Sequence, residues 1–201
     1  AASRFAGVRA EGRITDWRDV VRQKDELVAS LRQAKYVDLL PSYNTVAYRE
    51  GQARLTAEGV MVNGERVKAG KIIIATGAAA AVPSISGIET VPYLTSTTVL
   101  ELEQLPKSLL IIGGGYIGCE LGQMFARAGV KVTIAMRSRL LPESEPEITD
   151  ALTGYFSEEG IVVRSGLSYG EIRQTPEGVA LSVVTEGRLE KISAERVLIT
   201  T

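Results

Sequence analysis

Residues 109–129, LLIIGGGYIGCELGQMFARAG, place an apolar run, a glycine turn and an amphipathic segment in immediate succession. Gly113, Gly115 and Gly118 have the spacing G-x-G-x-x-G, which joins a strand to a helix in dinucleotide-binding βαβ units. The first glycine permits a tight turn, the second lets backbone N–H groups approach a pyrophosphate, and the third lets the helix lie close to the strand. The segment predicts a dinucleotide site at the amino terminus of a helix, where the helix dipole favours an anion.

The residues on either side of the glycine turn predict a complete βαβ unit. Apolar strands are expected at 108–112 and 131–136 around a helix at 116–128, and a second helix is expected at 146–159. Short strands follow near 161–164, 170–174, 178–185, 188–193 and 196–200. This order predicts an α/β fold, a Rossmann-like unit with an appended antiparallel meander.

The first half of the chain has a different pattern. Apolar residues recur at helical spacing across 16–36, which predicts a long surface helix with one packed face. Across 44–77, short β-branched segments alternate with turns such as Asn63-Gly64, which predicts a small antiparallel meander that ends in a buried strand at 71–75. Prolines and a run of serine and threonine mark 78–107 as a connection.

The end of the second strand of the βαβ unit bears on which dinucleotide is bound. An NAD-binding unit offers an acid there, about twenty residues after the glycines, to the ribose 2′-hydroxyl. This sequence has Met136 instead, followed by Arg137 and Arg139. Guanidinium groups suit a 2′-phosphate, which a carboxylate would repel. The pattern predicts NADPH rather than NADH; the alternative is that both arginines are solvated surface charges.

The helix after the glycine turn carries three further candidates. Tyr116 and Glu120 lie four residues apart and project together, so they can reach a bound ring; the alternative is an exposed tyrosine and a glutamate that stabilises the helix N-terminus. Cys119 is expected opposite the apolar stripe, without a basic neighbour to lower its pKa, and is interpreted as a bystander. The predicted stripe comprises Ile117, Leu121, Met124, Phe125 and Ala128.

Composition excludes several classes of function. The 201 residues carry 23 basic and 24 acidic side chains, so a net charge of −1 gives no electrostatic basis for binding nucleic acid or an anionic membrane. The sequence has neither an apolar stretch of about 18 residues nor a signal peptide, and a cytoplasmic protein is expected. With no histidine and a single cysteine, neither a metal centre nor a histidine-assisted nucleophile is expected.

Several segments together resemble a known family. GGGYIGCELG at 113–122, preceded by KIIIATGAAAAVPSISGI at 71–88, is similar to the flavin-dependent pyridine nucleotide-disulfide oxidoreductases. The segments at 31–36, 50–55 and 92–106 look most like the branch of that family that reduces mercuric ion. The resemblance covers essentially the whole chain.

The resemblance implies a domain organisation and an activity. Residues 1–105 would be the carboxyl-terminal part of an FAD-binding domain with its connection, and 106–201 an NAD(P)-binding domain that is truncated at its end. The implied enzyme is a homodimer in which NADPH reduces FAD and FAD reduces a cysteine pair. The resulting thiolates and flavin would then reduce a bound Hg(II) to Hg(0).

The resemblance also implies roles for individual residues. Tyr116 would be a gate over the flavin and nicotinamide, and Glu120 would help to position the nicotinamide. Arg137 and Arg139 would contact the 2′-phosphate of NADPH. The backbone groups that would hold the two cofactors belong to Gly113, Gly114, Gly115, Tyr116, Ile117 and Gly118 for the NADPH pyrophosphate, and to Ala53, Thr76 and Gly77 for FAD.

Parts of the family pattern are not found in this sequence. Family members carry a C-x4-C redox motif, a first glycine motif for FAD and a dimerisation domain, and the mercuric-ion branch adds a cysteine pair near its end. Ala1 is not a methionine, and RVLITT at 196–201 stops where a glycine is expected, so a central fragment is predicted. A single cysteine does not support a dithiol cycle. The catalytic residues are therefore expected outside the fragment, which is not expected to retain FAD.

Two alternatives stay open. The substrate ligands would lie outside this sequence, so dihydrolipoamide dehydrogenase or a glutathione reductase relative is the alternative within the class, although Met136 disfavours the former. From a different class, a stand-alone nucleotide-binding or redox-sensing module is the alternative if Ala1 and Thr201 are true termini.

Overall fold

The structure, a computed structural model, describes residues 12–57 and 59–201. Contacts between residues divide it into two compact units. One unit comprises Arg22–Ala79, and the other combines the described residues up to Val21 with Ala80–Thr201. The predicted boundary between an FAD-binding and an NAD(P)-binding domain, at residues 105 and 106, is defined by cofactor binding and not by contacts between residues. It stays a prediction.

The first helix, α1, spans Trp17–Arg32 and continues as a π-helix at Gln33–Val37, followed by a 3₁₀ turn at Leu40–Ser42. The predicted helix at 16–36 is therefore present. Its predicted packed face is wrong, because none of its residues is buried against the described part of the chain and Leu27 is 60% exposed. An amphipathic pattern indicates which face a partner would cover, but it does not supply the partner.

A small antiparallel sheet follows. Strands β1 (Ala53–Thr56), β2 (Gly59–Val62) and β3 (Glu65–Val67) pair in that order. Between β2 and β3, Asn63 has a φ of 49° and Gly64 a φ of 87°, the pair of left-handed residues that a tight hairpin requires. The predicted meander is confirmed.

The predicted buried strand at 71–75 is wrong. This segment forms no strand, and Ile73 is 90% exposed and Ile74 70% exposed. A β-branched run becomes a strand only where a neighbouring strand offers hydrogen bonds. Within residues 12–57 and 59–201, no strand pairs with this run.

From Ala80 to Thr201, the larger unit contains two sheets and two α-helices. Its elements in chain order are β4 (Tyr93–Leu94), β5 (Ser108–Ile112), α2 (Tyr116–Arg127), β6 (Lys131–Ala135), α3 (Pro146–Glu158), β7 (Val162–Arg164), β8 (Ser168–Thr175), β9 (Gly178–Thr185), β10 (Arg188–Ala194) and β11 (Arg196–Ile199). Short 3₁₀ helices lie at Ile88–Thr90 and Thr98–Glu101. The parallel sheet has the order β4-β11-β5-β6-β7, and the antiparallel sheet has the order β10-β9-β8.

Alternation along β5 explains the three layers of this unit. Leu109 and Ile111 belong to the same buried cluster as Phe125 of α2, whereas Leu110 and Ile112 belong to the cluster with the antiparallel sheet. A strand that is covered on both faces is apolar throughout, as β5 is. The predicted fold class, a Rossmann-like α/β unit with an appended meander, is confirmed.

Three strands of the parallel sheet end at the same edge. The register pairs Ile112 of β5 with Ala135 of β6 and with Ile199 of β11. The glycine turn after β5, the arginine loop after β6 and Thr200 after β11 therefore meet at the carboxyl ends of the strands. Open α/β sheets bind their ligands at this edge.

Candidate functional site

The glycine turn is held by hydrogen bonds to its carbonyl oxygens. Thr200 Oγ1 donates to the carbonyl oxygen of Gly113 at 3.3 Å, and the N–H of Leu141 donates to that of Gly114 at 2.7 Å. In a trans peptide the C=O group and the following N–H point in opposite directions. The N–H of Gly114 is therefore directed away from Thr200, and that of Gly115 away from Leu141.

Two of the three motif glycines are required by the protein itself. A Cβ on Gly113, which has a φ of +125°, would lie 2.5 Å from the carbonyl oxygen of Thr200. A Cβ on Gly118 would lie 2.5 Å from the carbonyl oxygen of Gly113 and 2.8 Å from Thr200 Oγ1. Such short contacts with backbone atoms cannot be relieved by a side-chain rotation, so a side chain at either position forces the turn and helix apart.

Gly115 differs from these two glycines. It caps α2 with a φ of −77° and a ψ of −177°, a conformation open to any residue, and a Cβ there would meet no described atom within 4 Å. Neither backbone strain nor packing against the described residues explains a glycine at this position. An open space beside the N-terminus of α2 is what the close approach of a ligand requires.

The donor groups around Gly115 fit a pyrophosphate. The first N–H groups of an α-helix have no partner within the helix, and in α2 the N–H of Cys119 is the one that bonds the carbonyl oxygen of Gly115. The N–H groups of Tyr116, Ile117 and Gly118 precede it, in the region where the helix dipole is positive. Neutral donors around an open space are the arrangement that binds dinucleotide phosphates.

The loop after β6 places the two predicted arginines differently. The exposed Arg137 guanidinium makes no hydrogen bond within residues 12–57 and 59–201. Arg139 is half-buried: its Nη1 donates to Thr149 Oγ1 at 3.0 Å, and its Nη2 donates to the carbonyl oxygens of Pro142 at 3.2 Å and Ser144 at 2.6 Å. Arg137 is available to a ligand, and Arg139 braces its own loop.

Met136 occupies the position at which an NAD-binding unit offers an acid. Its side chain is 3% exposed, and a Cβ on Gly114 would lie 2.6 Å from its Sδ atom. The side chain thus packs directly beneath the glycine turn. The site offers no carboxylate at this position.

Three residues of the site were not predicted from the sequence. Thr200 and Leu141 hold the turn, and Tyr169 of β8 donates from its Oη atom to the carbonyl oxygen of Ala135 at 3.0 Å. Burial raises the pKa of Tyr169 to about 12, against the opposing effect of the nearby Arg137 charge. None of the three had a signal in the sequence; Thr200 lies beside Gly113 because 196–199 pair in parallel with 109–112, a register that only the structure shows.

Tyr116 and Glu120 are both exposed, and the structure does not join them in one cavity. Tyr116 is 64% exposed, and its Oη atom lies 3.4 Å from Ser144 Oγ. A cavity of about 270 Å³ next to it is lined by Ala80, Ser96, Gly115, Tyr116, Ile117 and Ile199–Thr201. Glu120 is not part of that lining.

The predicted apolar stripe of α2 is partly wrong. Ile117 is 49% exposed, whereas Cys119, expected on the opposite face, is 6% exposed in the core with Phe125. The buried line of α2 runs through Gly118 and Gly122, because glycines let the helix backbone approach the sheet. Burial raises the pKa of the Cys119 thiol to about 11, with a further contribution from the Glu120 carboxylate, so the thiol is not activated.

The residues expected to line an FAD site lie in the Arg22–Ala79 unit. Ala53 begins β1 and pairs with Val62. Thr76 and Gly77 lie in the exposed segment after β3, and Gly77 has a φ of +76°. All three residues are exposed.

Neither a metal site nor a membrane span is found among the described residues. In residues 12–57 and 59–201, no three or more Asp, Glu, Cys and His side chains are grouped so that they can hold a metal ion. None of the described helices has the length and apolarity needed to cross a bilayer.

The chain is similar to one protein family over nearly its whole length. Residues 4–201 match the family model described as pyridine nucleotide-disulphide oxidoreductase. The mercuric reductase of Lysinibacillus sphaericus is 39% identical over 198 residues, which are 98% of this chain and 36% of that protein. The mercuric reductase of Streptomyces lividans is 40% identical over 210 residues, which cover 100% of this chain and 44% of that protein.

A solved structure agrees with these matches. The HOCl-induced flavoprotein disulfide reductase RclA from Escherichia coli is 32% identical with a TM-score of 0.78, over 93% of this chain and 43% of that one. The chain thus spans less than half the length of these relatives. The cofactors of the family, FAD and a nicotinamide nucleotide, are those that the resemblance implied. On the match of 4–201 and the structure of its glycine turn, this chain belongs to the pyridine nucleotide-disulphide oxidoreductase family of flavoenzymes.

Proposed function

We propose that this chain is the central part of an NADPH-dependent flavoprotein oxidoreductase that reduces Hg(II) to Hg(0). The observation that supports binding of NADPH is the open space beside Gly115, which no described residue fills. When bound, NADPH supplies a hydride to the flavin of such enzymes. The chain's own contribution is to bind and orient the dinucleotide.

The pyrophosphate is assigned to the backbone N–H groups from Gly114 to Gly118. These donors are neutral, so the positive end of the α2 dipole provides the main local charge. The carbonyl oxygens of Gly113 and Gly114 accept hydrogen bonds from Thr200 and Leu141, so they point away from the phosphate site. A carbonyl oxygen that faced the phosphate would repel it. The arrangement orients the dinucleotide across the carboxyl ends of β5 and β6.

The 2′-phosphate is assigned to Arg137, with Arg139 beside it. Arg137 has an exposed guanidinium without a hydrogen bond to the described residues, and Met136 offers no negative charge. Arg139 donates two hydrogen bonds to its own loop and one to Thr149 of α3, but its Nε–H and one Nη1–H remain as donors. A preference for NADPH over NADH follows from these charges.

At the nicotinamide end, we assign Tyr116 and Glu120 to the ring. Tyr116 borders the 270 Å³ cavity next to the N-terminus of α2, and the residue is 64% exposed. The exposed Glu120 lies one helical turn further along α2. Ala53, Thr76 and Gly77 are assigned to FAD through their backbone groups, and the FAD-binding part is taken to extend to residue 105.

A titration of the purified chain tests the nucleotide assignment. Binding of NADPH, followed by its fluorescence, is expected to be tighter than binding of NADH, and Arg137→Glu is expected to remove the difference. Tighter binding of NADH that Arg137→Glu leaves unchanged would contradict the assignment. The chain alone is expected not to retain FAD, and flavin absorbance in the purified chain would overturn that expectation.

Reduction of Hg(II) is supported by the relatives and tested on the full-length protein. Two mercuric reductases match essentially the whole chain at about 40% identity. Since Cys119 is the single cysteine here and is buried, the metal-binding thiols are assigned to segments outside this sequence. Oxidation of NADPH by the full-length enzyme is expected with mercuric chloride and a small thiol, and its absence there would reject this substrate.

A disulfide substrate is the second candidate. It is favoured by the similarity to RclA, a flavoprotein disulfide reductase. The same assay with glutathione disulfide or lipoamide in place of mercuric chloride separates the two. The dihydrolipoamide dehydrogenase alternative is disfavoured by Met136, since that position lacks the acid typical of NAD binding.

A stand-alone nucleotide-binding module is the alternative from another class. Mass spectrometry of the native protein separates it from the enzyme, because a module would have the 21.6 kDa of this chain, whereas the mercuric reductases are longer. Cytoplasmic localisation and a homodimer of the full-length protein stay predictions.

A further inference from the structure

We propose that Thr200 is a positioning residue for the pyrophosphate, through the hydroxyl group that fixes the peptide between Gly113 and Gly114. The inference rests on the proposed NADPH site and assigns a role to a residue outside the glycine motif. Thr200 follows β11, the strand that pairs with β5. Its place in the structure is therefore fixed by the sheet and not by the turn.

Thr200 fills the space between the first and last motif glycines. Its carbonyl oxygen lies 2.5 Å from the position of a Cβ on Gly113, and its Oγ1 atom lies 2.8 Å from the position of a Cβ on Gly118. Its own N–H donates to the carbonyl oxygen of Ile112 at 2.9 Å. The residue thus touches the end of β5, the turn and the start of α2 at once.

The hydroxyl group makes the contact that matters for an anion. Thr200 Oγ1 lies 3.3 Å from the carbonyl oxygens of both Ile112 and Gly113, so one donated hydrogen is shared between them. The peptide between Gly113 and Gly114 has glycine on both sides, and glycine permits more than one orientation of a peptide plane. Rotation of this peptide by half a turn would replace its outward N–H with a carbonyl oxygen.

An outward carbonyl oxygen would repel a phosphate, whereas an outward N–H attracts it. By accepting the hydroxyl hydrogen, the Gly113 carbonyl stays on the inner side of the turn. Loss of the hydroxyl with retention of the side-chain shape leaves that oxygen without a donor, which costs about as much as a typical hydrogen bond. The pyrophosphate donor is then no longer held in place.

The test compares Thr200→Val, which keeps the shape and removes the hydroxyl, with Thr200→Ser, which keeps the hydroxyl. Two probes separate the parts of the nucleotide: ADP carries a pyrophosphate and no 2′-phosphate, and adenosine 2′-monophosphate carries the reverse. Thr200→Val is expected to weaken ADP and NADPH about tenfold, with adenosine 2′-monophosphate unchanged. Thr200→Ser is expected to bind all three like the unsubstituted chain.

Thr153→Val is the matched control. Thr153 Oγ1 donates to the carbonyl oxygen of Thr149 at 2.8 Å, so this variant also removes a hydroxyl-to-carbonyl hydrogen bond, but on α3. It is expected to leave binding of ADP unchanged, and thermal melting of each variant checks that it folds. A Thr200→Val variant that binds ADP like the unsubstituted chain would overturn the inference and leave the proposed function intact.

Two other outcomes would contradict the positioning role of Thr200 or the proposed function. Equal weakening of ADP and adenosine 2′-monophosphate by Thr200→Val would show a general loss of the site, and it would overturn the positioning role. Failure of the unsubstituted chain to bind NADPH or either probe would reject the proposed function itself.

Discussion

The N–H of Leu141 donates a hydrogen bond of 2.7 Å to the carbonyl oxygen of Gly114, so the loop after β6 is fastened to the glycine turn. Leu141 has a φ of +44°, a left-handed conformation that costs a residue with a bulky side chain about 1–2 kcal/mol. Arg139 stabilises this conformation through the carbonyl oxygens of Pro142 and Ser144, which follow Leu141 in the loop. The strained residue joins the two halves of the candidate site.

The two arginines are expected to respond differently to substitution. Arg137→Gln removes a charge that faces solvent, so we expect it to weaken adenosine 2′-monophosphate and NADPH by about tenfold or more and to leave ADP unchanged. Arg139→Gln releases the loop that carries Leu141, so we expect it to weaken ADP as well. Titration of both probes against each variant measures the difference.

Arg173→Gln provides a control for loss of positive charge, since this exposed arginine lies on β8 and makes no contact that the proposal uses. The assignment of Arg137 would be contradicted if Arg137→Gln and Arg173→Gln weakened adenosine 2′-monophosphate equally. The brace assigned to Arg139 would be contradicted if Arg139→Gln spared ADP.

Two glycine-to-alanine substitutions separate binding from folding. Gly115→Ala places a methyl group in the open space, so we expect NADPH and ADP binding to be lost while the free energy of unfolding changes by within about 1 kcal/mol. Gly118→Ala places a methyl group against backbone and Thr200, so we expect it to destabilise the fold by about 1–3 kcal/mol. Urea unfolding and ADP titration provide both readouts. A Gly115→Ala variant that binds ADP normally would show that the space does not hold the pyrophosphate.

Cys119 is expected to resist alkylation in the folded protein. Burial raises the pKa of its thiol from the ordinary value of 9.0 to about 11, so the thiolate is scarce near neutral pH. Because the folded pKa is raised, the protonated thiol favours the folded state. This contribution to the free energy of unfolding is fully present below the unfolded pKa and is lost as the pH rises through the folded pKa of about 11. Iodoacetamide labelling, measured by mass spectrometry with and without urea, should detect modification only after unfolding. Rapid labelling of the folded chain would refute the buried thiol.

The pair formed by Arg127 and Glu159 is expected to contribute to acid sensitivity. Both oxygens of Glu159 accept hydrogen bonds from Arg127, at 2.7 and 2.8 Å, and these bonds hold the pKa of the carboxyl below its ordinary value. Because the folded pKa is depressed, the ionised Glu159 carboxylate stabilises the folded state. This contribution to the free energy of unfolding is present above the unfolded pKa and is lost as the pH falls through the folded pKa. Melting temperatures measured from neutral to acid pH should fall less for Glu159→Gln than for the unsubstituted chain. Parallel curves for the two proteins would argue against this role.

The nucleotide motif and the main elements around it could be predicted from the sequence. The spacing of Gly113, Gly115 and Gly118 depends on local requirements, namely a left-handed turn and a close strand–helix contact, and local requirements are written in consecutive residues. The helices and most strands of the larger unit follow from apolar periodicity for the same reason. The absence of an acid at Met136 is also a local fact, and the proposed preference for a 2′-phosphate depends on it.

The tertiary structure decided which side chains of the candidate site are exposed. Arg137 and Arg139 are equivalent in sequence, yet one is exposed and the other is tied to Ser144 and Thr149, because hydrogen-bond partners depend on how a loop folds back. The 71–75 run and the apolar face of α1 were expected to be buried and are not, because burial requires a partner surface that periodicity does not specify.

The sequence by itself determined that a glycine turn would join a strand to a helix, in the pattern of a dinucleotide-binding unit. Only the tertiary structure determined that Thr200, 87 positions away from Gly113 along the chain, lies under that turn and holds its carbonyl oxygen. The physical reason is that parallel strands bring their carboxyl ends together whatever their separation in sequence. A contact made across a sheet depends on strand order and register, and neither is encoded in a local pattern of residues.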